Sequence, residues 1–122
     1  MKEPSVGIFW LINDRLLFDS TPIRKAETDI HFKIHSGDHY SVWEALQRIG
    51  RAPAEIEYEE LPRGRVMFDM KTQKFTILAD RCILKRADLV GKIRVELNLP
   101  KDTNVGTDSH YRCFDCLNDE SE

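Results

Sequence analysis

Val6-Gly7-Ile8-Phe9-Trp10-Leu11-Ile12-Asn13-Asp14-Arg15-Leu16-Leu17-Phe18-Asp19 is the stretch that decides the fold. Its first half is rich in β-branched and aromatic side chains and reads as a buried strand. Asn13-Asp14 tolerates the positive φ that a two-residue hairpin turn requires. Arg15 to Asp19 is the returning strand, so the chain opens with a β-hairpin.

A second hairpin is predicted further on. Val66, Phe68 and Met70 alternate with Arg65, Met67 and Asp69, and after Lys71-Thr72-Gln73 the run Phe75, Ile77, Ala79 alternates with Thr76, Leu78 and Asp80. Each strand then has one packed and one largely wet face. Ile83-Leu84 extends the second of them in this reading. Asp29-Ile30-His31-Phe32-Lys33-Ile34-His35 alternates strictly and predicts a half-buried strand. Glu55 to Glu59 alternates too and reads as a charged edge strand.

Two helices complete the expectation. Val42, Trp43, Leu46 and Ile49 form an apolar stripe over 41–49, with Ser41 and Glu44 at capping-box spacing and Gly50 as the left-handed stop. Leu89, Val90, Ile93 and Leu97 predict a helix over 86–98, stopped by Pro100. Hairpins with two helices, without alternating β-α-β units, argue for an α+β fold. The expected sheet is mostly antiparallel: two hairpins plus one or two further strands, with both helices packed on one face.

The 122 residues suit a single domain. Its fold signals run from 6 to 100. A C-terminal CxxC segment follows at 101–117, and an acidic tail at 118–122 has the composition of disorder. The net charge of −3 is uneven: residues 62–101 hold ten basic and four acidic side chains, a net of +6, which leaves −9 elsewhere. The apolar run at Val6–Ile12 is too short to span a bilayer. An odd count of three cysteines fits a reducing compartment better than a disulfide framework. The expectation is a soluble cytoplasmic protein with no membrane partner.

Three constellations can carry chemistry. Cys113-x-x-Cys116 lets two thiolates meet one tetrahedral ion at about 2.3 Å. It is half of a structural zinc site, and Cys82 and His110 are the expected remainder. The alternatives are a redox dithiol, although the motif follows no strand and opens no helix, or two reduced cysteines packed on the core. His35 and His39 bracket Asp38, and the three together form an acid/base group, since histidine titrates near neutral pH. The alternative for them is a solvated histidine face. Arg63, Arg65 and Arg81 are candidates for phosphate contacts through their guanidinium forks, with solvated surface charge as the alternative. Lesser candidates are the loops Asp19-Ser20-Thr21 and Asp108-x-His110-Tyr111, where turn capping is the commoner use.

The strings Gly7-Ile8-Phe9, Pro62-Arg63-Gly64-Arg65-Val66, Ala79-Asp80-Arg81-Cys82 and His110-Tyr111-Arg112-Cys113 give the chain its one resemblance. Over residues 6 to 117 it resembles small bacterial proteins without an assigned function. That implies a bacterial source and a single domain, and carries no site residues with it.

The sequence has no GxSxG, P-loop, HExxH, EF-hand or dinucleotide fingerprint. The first expectation is therefore a small binding or accessory protein rather than an enzyme, with a zinc-clamped C-terminal segment and a protein partner or a second copy of itself. The second is a small phosphodiester hydrolase, with His35 and His39 as acid and base and Arg63 or Arg65 stabilising phosphoryl charge. The third is nucleic-acid binding through the basic 62–101 segment.

Overall fold

The computed structural model describes residues 5–19, 38–108 and 110–113. The elements are β1 (Ser5–Ile12), β2 (Arg15–Phe18), α1 (His39–Arg48), a 3-10 turn at Tyr58–Glu60, β3 (Arg63–Asp69), β4 (Lys74–Ala79), α2 (Arg81–Leu84), α3 (Ala87–Glu96) and β5 (Asn104–Thr107). The strands form one sheet in the order β2-β1-β3-β4-β5.

Both predicted hairpins are present. Asn13 and Asp14 take φ values of 48° and 65°, so both turn residues lie in the left-handed region that this tight connection needs. β1 also pairs antiparallel with β3, and β3 with β4. The strand expected at 29–35, with His31 and His35, lies outside the described residues.

The fold is α+β, but the sheet is mixed. β5 pairs parallel with β4, joining Thr76 to Asn104 and Ala79 to Thr107. A parallel neighbour cannot be reached by a hairpin. The connection runs through α2 and α3, so Ile83-Leu84 turns into a helix instead of prolonging β4. Asp80 starts that helix by accepting from the Cys82 N–H at 2.7 Å. Residues 55–59 form no strand; their C-terminal part is the 3-10 turn.

The helices do not share one face. Ile8 and Trp10 point one way from β1 and pack with Val42, Trp43, Ala45 and Leu46 of α1. Phe9 points the other way and packs with Val66, Ile77, Ala79, Ile83, Leu89 and Ile93. Strand alternation therefore places α1 on one side of the sheet, and α2 with α3 on the other. That corrects the wet outer face expected for β3. Arg63 and Arg65, on the Ile8–Trp10 side by register, lie beside α1, and Arg63 is only 6% exposed.

Helix ends also differ from the sequence pattern. The N-cap of α1 is Asp38, whose carboxylate accepts from the Ser41 N–H, which places His39 at the first helical position. Gly50, at φ 75°, supplies the expected left-handed stop. The second helix ends sooner than Pro100 requires, because Asn98 takes φ 53°.

Candidate functional site

Three pieces of chain converge beside β3: the start of α1, the 3-10 turn, and the segment after β5. They enclose an open cleft of about 440 Å³. α1 contributes His39 and Tyr40 with the Asp38 cap, and the turn contributes Tyr58. β3 contributes Arg63 and Arg65, two residues apart and hence on one face. The last segment contributes Asp108, His110 and Tyr111.

His39 is 8% exposed. Its ring stands edge-on to Trp10, with centroids 5.8 Å apart, and lies 4.8 Å from the Tyr111 ring. Neither ring nitrogen has a hydrogen-bond partner among the described residues. Burial, reinforced by the charges of Arg63 and Arg65, lowers its pKa from 6.5 to about 3 against the smaller opposing pull of Asp38 and Asp108. The imidazole is neutral at physiological pH and offers one donor and one acceptor.

The two arginines differ in what they do. Arg63 is committed to structure: Nη2 donates to the His110 carbonyl at 3.0 Å, and Nη1 reaches the Tyr58 and Leu61 carbonyls at 3.4 Å each. Its Cζ lies 5.1 Å from the Tyr58 ring centroid. Arg65 is half-buried, with its Cζ 5.8 Å from the Tyr111 ring centroid and its Nε buried without a hydrogen-bond partner among the described residues.

Asp108 accepts from the His110 N–H at 2.9 Å and meets the ring Nδ1 at 2.7 Å. Burial pushes its carboxyl up, but these bonds and the His110 charge outweigh that and hold it below the usual range. Burial also pushes the Tyr111 hydroxyl up to about 12, so it stays protonated.

A second cluster lies at the far end of the same C-terminal segment. Asp80 is fully buried at the end of β4. One of its oxygens accepts from the Cys82 N–H at 2.7 Å, and the other from the Cys113 N–H at 2.6 Å. The Cys82 and Cys113 sulfurs stand 3.3 Å apart, and the Cys113 thiol is 3.6 Å from Asp80 Oδ1. Donor atoms of the three residues all lie within 4.8 Å of one another, close enough to hold one metal ion. Segment 110–113 is thus pinned at both ends: by Arg63 at His110, and by Asp80 at Cys113.

Most of the predicted residues fall into these two places. Asp38, His39, Arg63 and Arg65 share the cleft, and His110 joins them there instead of the thiols. Among the described residues, Asp80 takes the place given to His110 beside Cys82 and Cys113. Arg81 opens α2 and does not line the cleft. His35 and Cys116 lie outside the described residues. Sequence reasoning missed Tyr58, which shows no motif, and Asp80. An acidic residue just ahead of the Arg81–Leu84 turn is an N-cap signal that could have found the latter.

No helix among the described residues is long and apolar enough to cross a membrane. Comparison of the chain with protein-family models, with curated proteins and with solved structures found no match.

Proposed function

We propose that this protein is a small binding module whose C-terminal segment, one wall of the cleft, is clamped to the sheet by a zinc ion. The observation that carries the reading is the meeting of Asp80, Cys82 and Cys113. Two thiols and a carboxylate, with Cys113 lying 31 residues or more along the chain from the other two, converge at the root of the segment that supplies His110 and Tyr111. Zinc takes tetrahedral sulfur and oxygen ligands, with sulfurs about 3.8 Å apart when each is about 2.3 Å from the ion. The thiol pair needs to open by only about half an ångström to accept it. The Cys113-x-x-Cys116 spacing, read from the sequence, supplies a third sulfur.

In this reading the zinc has no catalytic part. It ties the wall in place, as structural zinc does in small domains. The cleft is then a preformed site, with a neutral imidazole at its floor and a guanidinium at its side. Purification without added metal should give about one zinc per chain. Chelation, or Cys113→Ser, should lower the melting temperature. A ratio near zero, with Cys113→Ser melting like the parent protein, would remove the clamp.

A further inference from the structure

We infer that the cleft beside β3 binds an oxyanion carried on an aromatic ring, an aryl carboxylate or aryl phosphate, with Arg65 as its main contact and His39 beneath it. This rests on the reading of the protein as a binding module and adds the chemistry of what it binds.

A buried polar atom without a partner costs about 1–3 kcal/mol, so such atoms are rare. Among the described residues three such atoms occur on two neighbouring side chains of one cleft: the Nε of Arg65 and both ring nitrogens of His39. A ligand oxygen satisfies the donors among them, the Arg65 Nε–H and the imidazole N–H. The Nε–H and one Nη–H of a guanidinium form a planar fork that matches two oxygens of a carboxylate or phosphate. A neutral imidazole N–H adds a third donor.

Charge decides the sign of the ligand. Arg63 and Arg65 face Asp38 and Asp108 across the cleft, so the formal charges cancel. The carboxylates are already engaged, Asp38 by the Ser41 N–H and hydroxyl and Asp108 by His110. Arg65 has no such carboxylate partner among the described residues. At the His39 ring the two guanidiniums act more strongly than the two carboxylates. The floor is therefore positive, while the nearby carboxylates disfavour a highly charged ligand.

The rim decides the carrier. Tyr40 is 51% exposed and meets Tyr58 edge-on, with ring centroids 5.5 Å apart. A pair of tyrosines at the mouth of a polar cleft gives an aromatic ring a surface to pack on.

The test titrates the full-length protein with benzoate, phenyl phosphate and benzamide, following tryptophan fluorescence, since Trp10 abuts His39. At least one of the two anions should bind, benzamide should bind far more weakly, and their ranking separates carboxylate from phosphate. Arg65→Gln should weaken anion binding about tenfold or more, and Arg65→Lys, which keeps the charge and loses the fork, by less. Lys74→Gln, on an exposed strand end, should change nothing. Circular dichroism checks that each variant is folded; if Arg65→Gln is not, the comparison rests on Arg65→Lys. Benzamide binding as well as benzoate, or a folded Arg65 variant binding like the parent, overturns the oxyanion assignment and leaves the binding module standing. Binding of none of the three probes overturns both.

Discussion

Acidification separates two buried groups whose effects on stability oppose each other. His39 has a folded pKa of about 3 against 6.5 when free, so the unfolded chain takes up this proton first. Its contribution is therefore lost as pH falls below 6.5. Asp19, 5% exposed and desolvated, with Arg51 drawing it back, has its pKa raised from 3.8 to about 7. The folded chain binds that proton first, so stability is gained as pH falls from about 7 towards 3.8. At 1.36 kcal/mol per unit, each effect between about pH 7.5 and about pH 4.5 comes to about 3 kcal/mol, with opposite signs. The parent protein should show a nearly level stability across this window. Asp69, Asp88 and Asp108, held below the usual range, lose their stabilisation only at lower pH. Urea unfolding at each pH should reveal the two terms by substitution. His39→Phe should become more stable by about 3 kcal/mol on acidification, and Asp19→Asn less stable by the same amount. A His39→Phe profile that remains as level as the parent's would refute the burial of a neutral imidazole at the floor of the cleft.

Other expectations follow from the same geometry. A Cβ at Gly64 would strike the Leu78 carbonyl and stand 2.7 Å from Phe9 Cζ and 2.8 Å from Ala79 Cα. Gly64→Ala, between the two cleft arginines, should cost about 3 kcal/mol in chemical denaturation, and a loss below about 0.5 kcal/mol would show that β3 and β4 do not pack this closely. Asp80→Asn keeps one acceptor and turns an amide towards the other backbone N–H. In metal-free protein it should cost about 2 kcal/mol, while an unchanged urea midpoint would show that these two bonds do not anchor the segment. Arg81→Gln should leave binding of any anionic probe unaltered, since Arg81 stands on α2 away from the cleft; a tenfold loss, about 1.4 kcal/mol, would show that α2 takes part.

Local signals carried much of the fold. The Asn13-Asp14 turn, the alternation in β3 and β4 and the apolar stripe of α1 are each written in neighbouring residues, and each appears in the structure. β5 was not legible: Asn104-Val105-Gly106-Thr107 is short, polar and glycine-containing, and becomes a strand only because β4 offers it an edge. The parallel pairing in turn explains why Ile83-Leu84 turns into a helix. Which face each helix covers depends on long-range register, which periodicity does not report. The candidate residues were visible as types, but their grouping was not. Cys82 and Cys113 met as expected, whereas His110 went to Asp108 because a hydrogen bond two residues away outcompetes a distant thiol pair. Arg65 looked like a solvated charge, since alternation alone cannot show that a helix and a returning segment cover its face.

Cobalt(II) substitution tests the clamp most directly, because a tetrahedral thiolate site gives intense visible bands and a sulfur-to-metal charge-transfer band that an octahedral aqueous ion lacks. These bands should saturate at about one cobalt per chain, disappear in Cys82→Ser and in Cys113→Ser, weaken in Asp80→Asn and persist unchanged in His110→Ala. Bands that fail to develop at stoichiometric cobalt, or that survive the loss of both Cys82 and Cys113, would contradict it.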